Sequence, residues 1–140
     1  MTETPRERPL SPHLMTGGFP SPLLWRWHLT MFTSIAHRAT GVALYIGALI
    51  LAGWAIALAA GPDAYAQYKA LLGSPLGKLV FFGLTISVFY HLANGIRHLV
   101  WDTGHGFDVK TANATAMGAI AFAVAATLAV WTIAAMTGAL

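Results

Sequence analysis

The chain has 140 residues, 56% of them hydrophobic and only 9% charged, with a formal charge of +3 and no cysteine. A mean hydropathy of +0.62 is too high for an ordinary small soluble domain, and the lack of thiols excludes disulfides, thiolate metal sites and cysteine nucleophiles. The positive charges flank apolar stretches rather than forming a basic face, which argues against nucleic acid as a partner.

Residues 1–22 hold five of the seven prolines and read as an extended arm. Residues 23–33 mix Trp25, Trp27 and Phe32 with Arg26 and His28, the composition of a short helix lying in the headgroup layer. The first membrane span is expected over 34–60. It begins too late for a signal peptide and lacks a cleavage pattern. The loop "GPDAYAQYKALLGSP" has room for one helical turn before Ser74 and Pro75 cap a second span over 75–101. A glycine-rich loop, "DTGHGFD", leads to a third span over 113–138, starting at Thr111 or Asn113.

Uncharged runs support all three: 21 residues from Thr40 to Ala60, 18 from Leu79 to Ile96 and 27 from Ala114 to Leu140, each about the length that crosses a bilayer as a helix. The fold class is therefore an all-α integral membrane protein, one domain over 1–140. The third span has small residues suited to close helix packing and no ionisable group, so its role is structural. Arg6, Arg8, Arg26 and Arg38 precede or open the first span, and Arg97 and Lys110 bracket the second loop; only Lys69 and Lys78 lie near the first. By the positive-inside rule the N-terminal arm and the second loop are cytoplasmic.

The polar groups inside the spans demand an explanation. His91 lies about midway between Leu79 and Asp102, where an imidazole needs a partner or a function. His98 follows seven residues later, on the same face and about 10 Å along the axis, with Gly95 between them. The flat strip left by glycine suits a planar macrocycle ligated by the imidazole; it would equally suit a closely packed helix. Arg97, His98 and Asp102 lie toward the cytoplasmic end, where a macrocycle's carboxylates would meet arginine and histidine donors.

In the first span "SIAHRATG" places Ser34, His37, Arg38 and Gly41 on one helical face at the same end. Arg38 alone could be a snorkelling topology charge. Beside Ser34 and His37, it reads better as the partner of a bound anion or carbonyl. His13, His28 and His105 lie in polar or interfacial segments and receive no chemistry. Asp102 is open to three roles: capping, pairing with Arg97 or Arg38, or relaying protons.

The order of "RPLSPHL" (8–14), "SIAHRATG" (34–41) and "YHLANGIRHLVWD" (90–102) around three spans resembles the cytochrome b anchor subunit of succinate dehydrogenase, respiratory complex II, in its alphaproteobacterial and mitochondrial form. The stretch "MTGGFPSPLLWRW" is more glycine- and proline-rich than the family's usual connection. The resemblance implies that His91 is the axial ligand of haem b and that His37, Arg38 and His98 form the propionate region, to which the position of Arg97 beside His98 adds a further donor. It implies that Ser34 and Arg38 line a ubiquinone pocket whose apolar walls are Trp27, Met31 and Ile35. It also implies a heteromeric helical bundle in the bacterial inner membrane. A second anchor subunit supplies the other haem ligand, and a flavoprotein and an iron–sulfur subunit deliver electrons from succinate.

This chain has no dinucleotide motif or iron–sulfur cysteine pattern, so no flavin or iron–sulfur chemistry is expected in it. Three other readings remain at this point: a haem-free anchor that binds quinone, the anchor of a quinol:fumarate reductase, and a channel or transporter subunit. The last is weakened because the polar groups cluster at one membrane face.

Overall fold

The computed structural model describes residues 28–138, which form four α-helices. α1 covers Leu29–Ala60, α2 Pro62–Leu72, α3 Pro75–Asp102 and α4 Val109–Met136. α1, α3 and α4 are long and apolar enough to cross a membrane, and together they make a multi-pass all-α membrane protein. Helices of 32, 28 and 28 residues exceed the roughly 20 residues that a hydrocarbon core requires.

The element boundaries differ from the sequence expectation in three places. Residues 29–33 continue into the first span within α1 instead of ending a separate interfacial helix at 33. Nothing breaks the helix there, and Thr33 satisfies its own hydroxyl by donating to the Thr30 carbonyl at 2.9 Å. Residues 1–27, including the arm, His13 and Trp27, lie outside the described part.

The expected single turn in the first loop is an eleven-residue helix, α2. Pro62 stands in its first turn, where the missing N–H costs nothing. Tyr68 docks α2 on α1 by donating its hydroxyl to the Ile50 carbonyl at 2.8 Å. Ser74 caps α3 as expected, accepting from the Gly77 N–H at 3.1 Å. Gly77 is required: a Cβ there would overlap the Leu72 carbonyl, and backbone cannot yield.

α4 begins at Val109, earlier than Thr111 or Asn113, because Asp108 caps it. Its carboxylate accepts from the Lys110 N–H at 3.3 Å, the Thr111 N–H at 2.8 Å and the Thr111 hydroxyl at 2.6 Å. Thr137 closes the same helix after Met136.

α3 lies between α1 and α4 and packs on both. Toward α4 the fit is a row of small side chains, with Ala112, Ala116, Ala119, Ala123 and Thr127 all buried. Their three- and four-residue spacing keeps them on one face and lets the backbones approach. Toward α1 the close approach is made at Gly41 and Gly47, whose Cβ positions would lie 3.3 Å from His91 and 3.1 Å from Leu84. Much of the remaining apolar surface is exposed, including Val42, Tyr45, Ile46 and Leu49 on α1, the surface expected of a helix bundle that faces lipid.

The hydrogen bonds from Thr111 and Lys110 hold the Asp108 carboxyl below the ordinary carboxylate range. Its folded value is thus lower than its unfolded one, so its contribution to stability is complete above the ordinary range and is lost as the pH falls through the folded value. Thermal melts of the purified protein at stepped pH should show a gap between wild type and Asp108→Ala that narrows in acid. A gap of constant size would mean that the carboxylate charge does not matter to the cap.

Candidate functional site

The first four turns of α1 and the last four of α3 lie side by side at one end of the bundle. Tyr90 ties them together, donating its buried hydroxyl to the Thr33 carbonyl at 2.8 Å. One residue on, His91 reaches the same helix. Its Nδ1 lies 3.2 Å from the His37 carbonyl oxygen and 3.3 Å from the Thr40 hydroxyl. The Thr40 hydroxyl itself donates to the Ala36 or His37 carbonyl, each 2.9 Å away. A carbonyl oxygen only accepts, so His91 Nδ1 carries the proton and Nε2 keeps its lone pair. That is the tautomer a metal-ligating imidazole needs.

His37 stacks on His91, with ring centroids 3.9 Å apart and planes 15° from parallel. His98 stands on the other side of His37, at a centroid distance of 5.1 Å. The three imidazoles from two helices thus form one cluster, a direct contact that the spacing within each helix does not by itself specify. Within it, His37 Nδ1 is buried and has no hydrogen-bond partner. Leaving a buried polar atom unpaired costs about 1–3 kcal/mol, so this nitrogen is suited to a group not contributed by the described residues. Gly95, one turn along from His91, faces open space: a Cβ there would meet nothing within 4 Å.

Ser34, Ile35 and Arg38 follow on α1 beside the cluster. Ile35 and Arg38 are exposed and Ser34 and Met31 are half-buried. Arg38 has no hydrogen-bond partner among the described residues.

Arg97 is elsewhere, against the expectation that it joins His98 at the propionate region. It is buried, 6% exposed, and points to α4, away from the histidines. Its Nε donates to the Thr115 hydroxyl at 3.1 Å, and its terminal nitrogens donate to Asn94 Oδ1 at 3.2 Å and to the Ala112 carbonyl at 3.0 Å. The guanidinium also lies 3.9 Å over the Trp101 ring. Arg97 follows His91 by six positions, which turns it about 120° around the helix, so it belongs to the α3–α4 seam. His98 touches the other side of this arrangement through an edge contact with Trp101 at 5.1 Å. His105 is exposed in the following loop, with Nδ1 3.0 Å from the Thr103 hydroxyl, and Asp102 is exposed at the end of α3.

A family model for the transmembrane subunit of succinate dehydrogenase/fumarate reductase matches residues 4–130. The chain belongs to this family. It is 36% identical over 135 residues to a succinate dehydrogenase cytochrome b556 subunit of Rickettsia felis, covering 94% of this chain and 99% of that one. The b556 subunit of Paracoccus denitrificans is 36% identical over 117 residues, 84% of each chain. A mitochondrial b560 subunit from Sus scrofa is 38% identical over 104 residues, which are 73% of this chain and 57% of the pig protein.

Three residues that shape the anchor's cluster lie within "SIAHRATG" and "YHLANGIRHLVWD", but the sequence does not show what they do. Gly41 shares the α1 face with Ser34, His37 and Arg38, but only the packed helices show that it lets α1 approach His91. Thr40 and Tyr90 are ordinary span residues by composition, and nothing short of knowing which faces of α1 and α3 meet would single them out. Gly41→Val should push a branched side chain against the His91 ring and destabilise the anchor by about 1–3 kcal/mol, the usual cost of overpacking. Gly83→Ala, which enters open space, should be nearly neutral. Detergent-driven unfolding of the two variants would check this, and equal losses would rule out a specific contact at Gly41.

Proposed function

We propose that this chain is the haem-carrying membrane anchor of a succinate:ubiquinone oxidoreductase and forms part of its quinone-reduction site. The observation that carries the reading is His91, held by α1 through Nδ1 so that Nε2 is left as a ligand beside a strip kept open by Gly95. The orphaned His37 Nδ1 supports it, since a haem carboxylate would satisfy a buried imidazole N–H. The names of the similar b556 and b560 subunits agree with a b-type haem.

His91 Nε2 would hold the iron, and a second anchor subunit would supply the other ligating histidine. His37, Arg38 and His98 would bind the propionates with charge-assisted hydrogen bonds. Arg97, committed to Thr115, Asn94 and Ala112, would instead fix the slope of α3 on which His91 and His98 are carried. Bound there, haem b supplies a one-electron carrier within the apolar bundle.

The quinone would lie along the opening turns of α1. Ser34 donates its hydroxyl to one quinone carbonyl oxygen, and Arg38 offsets negative charge on that oxygen as electrons arrive. Met31, Ile35 and Trp27 form apolar walls around the ring. Ser34, Arg38, Met31 and Ile35 are at one end of the bundle, the end that the positive-inside rule makes cytoplasmic, so protons reach the quinone from that side without crossing the bilayer. The electrons come from a flavoprotein through an iron–sulfur subunit, both separate chains, and the complex resides in the bacterial inner membrane.

Two substitutions separate the roles. Ser34→Ala should lower quinone-dependent succinate oxidation by about 10-fold, equivalent to one lost hydrogen bond of roughly 1.4 kcal/mol, and leave the b-type absorption in place. Unchanged turnover would remove Ser34 from the site. His91→Leu should abolish or shift the reduced-minus-oxidised b-type spectrum of the purified complex. A wild-type spectrum in that variant would exclude His91 as the ligand, and a wild-type complex with no b-type spectrum would favour a haem-free quinone-binding anchor.

A further inference from the structure

Lys69 and Lys78 have no part in the site above, since they lie at the other end of the bundle. Cations on that side are not needed to orient the spans, and a lone lysine there would extend its amine into the headgroup layer. These two instead line one cleft of about 650 Å³, together with Trp54, Phe81, Thr85 and Trp131. The cleft is built rather than accidental. Tyr68 holds α2 against α1, where Gly53 makes room: a Cβ at Gly53 would come 2.7 Å from the Tyr68 hydroxyl. The tight approach of Gly77 to the Leu72 carbonyl sets the start of α3 beside the end of α2, which brings Lys69 and Lys78 to the same mouth. Trp131 is held in the wall by an edge contact with Phe82 at 5.3 Å and by donation of its Nε1–H to the Thr85 hydroxyl at 3.3 Å.

No carboxylate answers these two charges among the described residues. Of the three present there, Asp102 and Asp108 lie at the opposite end of the bundle, and Asp63 stands in the first turn of α2, outside the cleft wall. Past Phe81 and Thr85 the cleft continues into an apolar furrow between α1 and α3, where those two residues also line a cavity with Gly47, Leu51, Leu84 and Val88. A second branch passes Trp54 and Phe81 to Ile50 and Leu51. Two unanswered cations at the mouth, two indoles in the wall and an apolar furrow beyond have the polarity of a phospholipid with a negative headgroup.

We infer that this cleft binds an anionic phospholipid, its phosphate between the ammonium groups of Lys69 and Lys78 and one acyl chain in the furrow beyond Phe81. A soluble anion would leave the furrow empty, and a zwitterionic lipid would bring a headgroup ammonium of its own against the two lysines. The lipid wedges α2 against α3 and α4, at a distance from the redox end.

The test uses the intact complex, stripped of lipid in detergent and reconstituted with spin-labelled phosphatidylglycerol or spin-labelled phosphatidylcholine. Electron paramagnetic resonance reads the immobilised fraction. The wild type should prefer phosphatidylglycerol roughly five- to tenfold, as two basic side chains acting on one headgroup would allow. Lys69→Gln with Lys78→Gln should bring that preference close to one, and Lys69→Arg with Lys78→Arg should retain it, which separates lost charge from lost folding. Ala48→Phe, which fills the furrow wall, should lower the immobilised fraction of both lipids. A wild type without preference, or a double glutamine variant that keeps it, would overturn the inference. So would a photo-cross-linker at Thr85 that captures a polypeptide in place of lipid.

Discussion

Everything in this bundle depends on α3 finding partners for its polar side chains in a setting that offers no water. Tyr90 and His91 are satisfied by carbonyl and hydroxyl oxygens of α1, and Asn94 Oδ1 and Arg97 by each other and by α4. Successive positions on one helix therefore hold two different neighbours. Since lipid offers α1 and α4 no hydrophobic reason to leave it for α3, these bonds and the close contacts at small residues bring the helices together. The pattern of burial reflects this: Thr33, Ser87, Asn94, Arg97 and Thr127 are as deeply enclosed as the alanines, whereas most large apolar side chains face outward.

That inside-out arrangement links packing to function. The contacts that hold α3 on α1 are the same ones that orient His91, because Tyr90 and His91 are adjacent and both end on the backbone or hydroxyls of residues 33–40. Gly41 sets the spacing, and the ring of His37 fills the space that spacing leaves. A substitution that loosens the α1–α3 seam will therefore disturb the imidazole cluster even where it touches no functional atom. The α4 side is different in kind. Arg97 is buried with no carboxylate beside it among the described residues, but three hydrogen bonds and the face of Trp101 surround it, so it acts as a fixed brace.

Much of the site is legible in the amino-acid sequence. The three spans follow from uncharged runs long enough to cross a bilayer, and the coincidence of Ser34, His37, Arg38, His91 and His98 at one membrane face follows from antiparallel spans and helical spacing. Arg97 is the exception: it is adjacent in sequence to His98, but adjacency on a helix means a turn of about 100°, enough to face a different neighbour. The length of α2 is not legible because an eleven-residue segment with moderate propensity is marginal alone; its docking through Tyr68 on Ile50 and Gly53 is what stabilises it. Asp108 gives no signal either, because a capping aspartate in a glycine-rich loop looks like any other loop carboxylate.

The sequence by itself determined the membrane class, the number of spans and the face on which the ionisable groups gather, because hydropathy and helical period are properties of each segment taken alone; the family came from the resemblance carried by its three motifs. Tertiary structure decided which neighbour each polar group faces. Only the meeting of α1 with α3 shows that His91 Nδ1 is already bonded and that His37 Nδ1 is not. Only the meeting of α3 with α4 removes Arg97 from the cluster, and only the docking of α2 joins Lys69 to Lys78. Those pairings depend on distances between residues tens of positions apart, set by where glycine and alanine allow two backbones to come close.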